Sequence, residues 1–282
     1  MSLATRLIED GQLELAESYL RSALAKAPTD AELLFDAANL KRAQGEIDAC
    51  LTILRRIGSD QLLGMKAALL LDILAQRPSD RTDGRHIAPV PFARYENVLP
   101  APAIDALLAF VVANEARFED SMVKAIGRID LNARRSKVWR GITALPTGLA
   151  DVVAGAVAAN TARLGVHEPL ADRFELEIGA YRDGDFFAPH WDRGDGATRV
   201  RRITTLFYFH AQPPQFSGGQ LQLFDTGANG EFDRAGWTGF PPTGNTMLQF
   251  RSEAIHAVTP VHGPARFADS RFCLTFWAHQ RH

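Results

Sequence analysis

The spacing of apolar residues changes partway along the chain, and the two parts cannot share one kind of secondary structure. Up to about residue 77, apolar residues recur every three or four positions, as at Leu13, Ala16 and Leu20, which predicts helices. From Arg173 onward, short apolar or alternating runs are separated by clusters of Gly, Pro and Asp, which predicts the strands of a sandwich or barrel. The pattern therefore indicates an α+β chain.

A polar segment punctuated by prolines separates the two parts and favours a domain boundary there. The predicted domains are a helical domain over 1–77, a linker over 78–91 and a β-domain over 92–282, whose strand-rich core covers 172–279. Unbroken runs of Ala, Leu and Val predict two further helices inside the β-domain, over 101–116 and 147–164.

The helical part contains an internal repeat. Segments that begin at Gly11 and Gly45 are offset by 34 residues, and small residues stand at equivalent places, Ala16 and Cys50, where paired helices must approach closely. This pattern resembles the tetratricopeptide repeat over less than two repeats, followed by a further helix at about 60–76. The resemblance implies either a helical cap packed on the β-domain or a surface that binds a peptide.

A helix start is predicted within the repeat. Pro28 stops one helix, and Thr29 followed by Glu32 forms a capping box for the next. Thr29 is therefore the predicted N-cap residue.

Composition limits the classes of partner. Hydrophobic residues make up 46% of the chain and charged residues 23%, and the formal net charge of −2 lacks the positive excess of proteins that coat nucleic acids or membrane surfaces. Cys50 and Cys273 lie far apart and form no C-x-x-C motif, which argues against a disulfide framework or a zinc–thiolate site. The first residues carry frequent charges, and no window is apolar enough to span a membrane. We therefore expect a cytoplasmic protein with no nucleic-acid or membrane partner.

Two histidines and one carboxylate form a candidate metal site. His190-Trp191-Asp192 places an imidazole and a carboxylate at positions i and i+2, which share one face of a strand, and His256 precedes an apolar run. Two imidazoles and one carboxylate are the facial triad that holds iron(II) in non-haem oxygenases and leaves coordination positions open. A His-x-Asp pair alone is weak evidence, and a single histidine before an apolar strand is ordinarily structural. The remaining candidates for the third ligand are His210, His262, His279 and His282.

A buried arginine is predicted near the end of the chain. Alternation along the last apolar run separates Arg271, Cys273 and Thr275 on one face from Phe272, Leu274 and Phe276 on the other. A guanidinium on the inner face of a strand is costly unless an anion pairs with it, and its planar fork matches a carboxylate. An anionic ligand for Arg271 is one explanation, and an internal salt bridge is the other. Arg266 is the rival for the ligand role, but its surroundings predict a loop.

An ordered series of motifs spans the strand-rich core. It comprises Tyr181-x-x-Gly-x-Phe-x-x-x-His190-x-Asp192, Arg201 to Tyr208, Phe216-Ser-Gly-Gly219-x-Leu221, Pro241-x-x-Gly244, Phe250, His256-x-Val-x-Pro260-Val and Arg271-x5-Trp277. The region resembles the iron(II)- and 2-oxoglutarate-dependent dioxygenases of the prolyl-4-hydroxylase-like branch. The resemblance implies a double-stranded β-helix, or jelly roll. It also implies iron ligation by His190, Asp192 and His256, and binding of the distal carboxylate of 2-oxoglutarate by Arg271 and Tyr208, with Tyr181 and Thr275 as further co-substrate contacts.

By the same resemblance, the expected function is hydroxylation of an aliphatic C–H with iron(II), 2-oxoglutarate and O2, releasing succinate and CO2. The expected substrate is a prolyl or other side chain in a protein or peptide. Arg201 and, from the basic segment 128–140, Arg134 and Arg135 are candidate substrate contacts, although a run of charges is usually a solvated face.

Three other functions compete with this one. The chain could hydroxylate a free amino acid or small metabolite, or act as a non-catalytic repeat adaptor with a retired oxygenase domain. A cupin-type metalloprotein would use more histidines and would not need Arg271. The sequence does not fix the oligomeric state.

Overall fold

The computed structural model describes residues 1–58, 61–77, 86–121, 132–227 and 230–281. The helices over these ranges are α1 (Leu3–Glu9), α2 (Leu13–Lys26), α3 (Ala31–Gln44), α4 (Ile47–Leu54), α5 (Gln61–Leu74), α6 (Ala101–Ala113) and α7 (Leu149–Asn160). The strands are β1 (Ile87–Ala88), β2 (Phe92–Glu96), β3 (Glu119–Asp120), β4 (Arg134–Arg135), β5 (Lys137–Arg140), β6 (Leu170–Tyr181), β7 (Phe186–His190), β8 (Arg201–Phe209), β9 (Ser217–Gly218), β10 (Leu221–Gly227), β11 (Phe232–Phe240), β12 (Thr246–Arg251), β13 (His256–Val258), β14 (Val261–His262) and β15 (Arg271–Gln280).

The predicted change from helices to strands is confirmed by this element order. Helices occupy the chain up to Leu74, and antiparallel strands dominate from Leu170 onward. Within the described part of the chain, none of the helices has the length and apolarity needed to cross a bilayer. Most of the predicted linker, 78–85, lies outside the described residues, as do 128–131 of the basic segment and the candidate ligand His282.

The chain divides into two compact units. The first comprises Met1–Pro91 with Gln222–Phe240, and the second comprises Phe92–Leu221 with Pro241–His282. The segment 222–240, which the sequence analysis assigned to the β-domain, is thus grouped with the helices. The strand β11 within this segment was not predicted, because its mixture of Gly, Asp and Arg shows no clear alternation.

In the first unit, the repeated glycines end helices. Gly11 and Gly45 adopt left-handed φ angles of 72° and 81° just before α2 and α4, a conformation that glycine adopts without steric cost. Ala16 and Cys50, the small residues of the repeat, are both fully buried. The predicted N-cap of α3 was wrong by one residue: the side chain of Asp30, not Thr29, accepts the N–H of Leu33 at 3.0 Å.

A buried ion pair links a helix of this unit to one of its strands. Arg42 of α3 donates from both terminal nitrogens to the two carboxylate oxygens of Asp225 of β10, at 3.0 Å each. The side chains of both residues are almost inaccessible to solvent. Beside this pair, α3 packs against β11. These contacts explain why 222–240 groups with the helices.

The second unit is built on one large antiparallel sheet in the order β2-β12-β8-β15-β6-β5-β3. One face of this sheet forms a core with α6 and α7, to which Leu107 and Val153 contribute from the helices. Phe272, Leu274 and Phe276 of β15 lie in the same core, as their alternation predicted. Arg271 and Cys273 are consequently directed to the opposite face.

The ion pair of the first unit gives a prediction about stability. Replacing Asp225 by Ala leaves the Arg42 guanidinium buried without its counter-charge, and we expect the free energy of unfolding to fall by about 3–5 kcal/mol. Urea unfolding of the full chain, followed by helical circular dichroism, measures this change. The exposed pair Arg21–Glu17 supplies the control, since Arg21→Ala should cost less than about 1 kcal/mol. Equal, small losses in both variants would contradict the structural role of Asp225.

Candidate iron and co-substrate site

The pairing of two short strands in the second unit places two histidines side by side. In the antiparallel pair β7–β13, His256 is the direct partner of His190. Their ring centroids are 4.2 Å apart. The two imidazoles, which are 66 positions apart in the sequence (190 and 256), therefore become neighbours through strand register alone.

Backbone carbonyls fix the same tautomer in both imidazoles. The Nδ1 of His190 lies 2.9 Å from the carbonyl oxygen of Ala188, and the Nδ1 of His256 lies 3.0 Å from that of Ala254. Because a carbonyl only accepts, Nδ1 carries the proton in each ring, and Nε2 keeps a lone pair for a metal. The pKa of His190 lies well below its ordinary value, chiefly because burial disfavours the imidazolium. His190 is therefore neutral at pH 7, as a metal ligand must be.

The third ligand stands just beyond the end of β7. The backbone N–H of Asp192 donates to the carbonyl of Ser252 at 3.0 Å, and its Oδ2 accepts the hydroxyl of Thr204 at 2.7 Å. Its Oδ1 lies 3.8 Å from Nε2 of His190, and its Oδ2 lies 3.6 Å from Nε2 of His256. Burial alone would raise the pKa of Asp192, but hydrogen bonds from Trp277 and from the Thr204 hydroxyl favour the carboxylate, and the pKa lies below its usual value.

Aromatic rings support both imidazoles from outside the triad. Phe187 stacks on His190 with a centroid separation of 3.4 Å, and Phe250 meets His256 edge-on at 4.9 Å. The guanidinium carbon of Arg134 lies over the Phe187 ring, 4.6 Å from its centroid. The orientation of each imidazole is therefore set by a hydrogen bond and a ring contact.

The donor set matches the predicted metal site. One ligand atom each from His190, Asp192 and His256 fits within a mutual separation of 4.8 Å. Two neutral imidazoles and one carboxylate suit iron(II) and leave coordination positions for other ligands. Of the other candidate histidines, the exposed His262 lies away from this group, while His279 contacts Glu175 at 3.4 Å. His210 instead lies 3.2 Å from the carbonyl of Pro242.

Arg271 is buried on the inner face of β15. Only 1% of its surface is exposed, and its Nε donates to the carbonyl of Gly219 at 2.8 Å. Strand register sets Tyr181 directly opposite it, and its guanidinium carbon lies 4.9 Å from the Tyr181 ring and 5.0 Å from the Tyr208 ring. Within the described ranges, no carboxylate forms a salt bridge with Arg271. The internal salt bridge considered from the sequence is therefore not found there.

The neighbours of Arg271 leave it ready for an anion. Burial raises the pKa of both Tyr181 and Tyr208, so their hydroxyls stay protonated and can donate hydrogen bonds. Thr275 lies on the same face of β15 as Arg271 and Cys273. In contrast, the rival Arg266 is exposed and pairs with Asp269 at 2.6 Å. Geometry thus favours Arg271 over Arg266 as the anion-binding arginine.

The three candidate substrate contacts have different surroundings. Arg201 is buried, with its Nε 2.9 Å from Glu175 and its guanidinium 3.7 Å from the ring of Trp277. Arg134 is also buried and pairs with Glu177 at 2.8 Å. Arg135, in contrast, is exposed on β4. Contact of any of the three with a substrate stays a prediction.

Sequence reasoning missed the residues that hold the ligands in place. Thr204 and Ser252 lie in or beside strands and look like ordinary strand residues in the sequence. Gly219 was part of a recognised motif, but its role depends on space: a Cβ there would lie 2.6 Å from Cδ of Arg271. These contacts depend on how distant segments pack together, which the residue pattern does not show.

Comparison with known proteins agrees with this arrangement. Residues 176–279 match the family model described as the 2OG-Fe(II) oxygenase superfamily, and residues 7–62 match a tetratricopeptide repeat model. An uncharacterized PKHD-type hydroxylase of Synechocystis sp. is 36% identical over 114 residues, which are 38% of this chain and 36% of the relative. The chain thus spans about a third of the length of that relative.

Of two similar solved structures, the first described below shows the fold of the second part of the chain. The first is a prolyl hydroxylase from Trichoplax adhaerens, solved with a peptide fragment of the hypoxia inducible factor oxygen degradation domain. Its TM-score is 0.53 at 20% identity, and the match covers 67% of this chain and 83% of that protein. A prolyl-4-hydroxylase of Pseudomonas putida has a TM-score of 0.49 at 22% identity and covers 67% and 92%. The predicted oxygenase fold after a helical repeat region is confirmed by the two family models and by the Trichoplax adhaerens structure.

The close approach of Gly219 to Arg271 gives a prediction about co-substrate binding. In Gly219→Ala, the added methyl group would collide with Cδ and Nε of Arg271 and, at 2.9 Å, with Cγ2 of Val261. We expect Arg271 to shift and the affinity for 2-oxoglutarate to fall by at least about tenfold, as for a misplaced charged hydrogen bond. Calorimetric titration of the iron-loaded, oxygen-free protein measures this loss.

Gly165 provides the matched control for the backbone effect. Its φ of +67° equals that of Gly219 (+66°) within one degree, and a Cβ there would meet nothing within 4 Å. Gly165→Ala should therefore carry the backbone strain without the loss of co-substrate. If both variants lose affinity equally, the collision with Arg271 is not the cause.

Proposed function

We propose that this chain, which carries a 2OG-Fe(II) oxygenase domain over residues 176–279 after a tetratricopeptide repeat region over 7–62, is an iron(II)- and 2-oxoglutarate-dependent dioxygenase. Its reaction would hydroxylate an aliphatic C–H of a prolyl or other side chain in a protein or peptide, and release succinate and CO2. The observation that carries the proposal is a His-Asp-His group in the same unit as a buried arginine with no carboxylate partner among the described residues.

The triad would hold the iron. Nε2 of His190, Nε2 of His256 and a carboxylate oxygen of Asp192 supply three ligand atoms, and the protein holds each one in place by at least one hydrogen bond. Iron(II) bound there supplies the oxidative chemistry that no amino-acid side chain provides. The burial of His256, beside the partly buried His190 and Asp192, would limit the access of water to a bound metal.

Arg271 would bind the far carboxylate of 2-oxoglutarate. Its planar guanidinium can make two parallel hydrogen bonds to a carboxylate, and the buried Tyr208 hydroxyl, which has no hydrogen-bond partner among the described residues, is a candidate for a third. Tyr181 and Thr275 line the same side of the sheet. A buried cation without a protein counter-charge is unstable by itself, so an anionic ligand would stabilise this side of the sheet.

Two observations favour a protein or peptide as the substrate. The Trichoplax adhaerens structure holds a peptide, which is a property of that protein. In this chain, the tetratricopeptide repeat region would offer a surface for a polypeptide. Both considerations favour a protein or peptide over a free amino acid.

Arg271 and Arg266 form a matched pair for testing the co-substrate assignment. Arg271→Ala should weaken 2-oxoglutarate binding by at least about 30-fold, because it removes the charge that faces the carboxylate. Arg266→Ala should change it by less than about twofold, since Arg266 is exposed and paired with Asp269. The Michaelis constant for 2-oxoglutarate, measured from succinate release, provides the readout. Unchanged binding in Arg271→Ala, or equal losses in both variants, would contradict the assignment.

Product analysis tests the substrate class. We expect proline-containing peptides to stimulate succinate release and to gain the mass of one oxygen atom, whereas free proline and other free amino acids do neither. Omission of iron should abolish both signals, and His256→Ala should do the same. Turnover with a free amino acid alone would replace the peptide proposal by the small-molecule one. If neither the peptides nor the free amino acids stimulate succinate release and gain an oxygen atom, the proposed substrates are wrong.

A further inference from the structure

A chain of side-chain hydrogen bonds ends on the carboxylate ligand. Oγ1 of Thr204 lies 2.7 Å from Oδ2 of Asp192, and the same Oγ1 lies 2.9 Å from Oγ of Ser252. Thr204 and Ser252 are both completely buried. Neither hydroxyl is therefore free to exchange its partner for solvent.

The direction of this chain follows from the chemistry of its members. An ionised carboxylate only accepts hydrogen bonds, so the single hydroxyl proton of Thr204 must point at Asp192. The oxygen of Thr204 can then only accept from Ser252, which must donate. Protons thus point one way, from Ser252 to Thr204 to Asp192, and each hydrogen bond polarises the next.

Ser252 also holds the backbone of the ligand. Its carbonyl accepts the N–H groups of Asp192 at 3.0 Å and Arg193 at 2.8 Å, and its own N–H donates to the carbonyl of Arg202 at 2.9 Å. One residue therefore fixes the main chain of Asp192 directly and its carboxylate through Thr204. On the other side, Nη1 of Arg201 donates to the carbonyl of Asp192 at 3.2 Å.

We propose that Thr204 and Ser252 are positioning residues for iron: the directed chain from Ser252 through Thr204 holds Oδ2 of Asp192 and presents the carboxylate to the metal in one orientation. Loss of a residue that hydrogen-bonds to a metal ligand typically weakens metal binding by about 10- to 100-fold. The inference rests on the proposed iron site and goes beyond it, since it assigns a role to two residues that touch neither the metal nor the substrate.

The next residue on the same strand supplies a matched control. Thr205 is also buried, and its Oγ1 accepts the amide of Gln249 at 3.1 Å. Because side chains alternate along β8, Thr205 faces away from Asp192. Thr205→Val thus removes a buried hydroxyl and its hydrogen bond to Gln249 but leaves Asp192 untouched, whereas Thr204→Val removes the hydroxyl that contacts both Asp192 and Ser252.

The test is the affinity for iron(II), measured without oxygen by competition with a chromophoric chelator. We expect Thr204→Val to weaken iron binding by about 10-fold or more, and Ser252→Ala to weaken it by a smaller factor. Thr204→Ser, which keeps the hydroxyl, and Thr205→Val should both stay within about threefold of the wild type. Thermal melting of the apo variants checks that Thr204→Val and Thr205→Val are folded to the same extent.

The outcomes separate this inference from the proposed function. Wild-type iron affinity in Thr204→Val, equal losses in Thr204→Val and Thr205→Val, or no rescue by Thr204→Ser would overturn the positioning role while leaving the iron site intact. If the wild-type chain itself does not bind iron(II), both the proposed function and this inference are wrong.

Discussion

In the antiparallel pairing of β7 with β13, His256 faces His190 directly, and the rest of the site depends on this register. A shift of one residue would turn one imidazole to the opposite face of its strand and separate the two nitrogen ligands. Asp192 follows β7 by two residues, so its position is set by the same pairing and by its hydrogen bond to the carbonyl of Ser252. The candidate metal ligands, which come from distant segments, are thus positioned mainly by backbone hydrogen bonds.

The second constraint is the burial of charge on the inner face of β15. Arg271 is held by the Gly219 carbonyl and by two tyrosine rings, and none of these contacts neutralises it. By contrast, the buried Arg42 and Arg134 each have a carboxylate partner, Asp225 and Glu177. The difference supports a structural role for the Arg42 pair and supports the proposal that Arg271 binds a ligand with its own negative charge.

Much of the architecture was accessible from the sequence because it depends on local periodicity. The helical repeat, the alternation of Arg271 with Phe272 and the adjacency of His190 and Asp192 all follow from residue spacing. The features that could not be predicted depend on contacts between distant segments. The grouping of 222–240 with the helices reflects the pairing of Arg42 with a residue far along the chain. Thr204 and Thr205 look alike in sequence, and only the register decides which one reaches Asp192.

Absorption spectroscopy of the oxygen-free protein with iron(II) and 2-oxoglutarate tests the joint site most directly. Chelation of 2-oxoglutarate by iron in a facial triad gives a weak visible charge-transfer band, which needs both the metal ligands and the co-substrate. We expect the band in the wild type and its loss in His256→Ala, which removes one nitrogen ligand. Iron binding without a band in the wild type would contradict the 2-oxoglutarate site, and a band that persists in His256→Ala would contradict the triad.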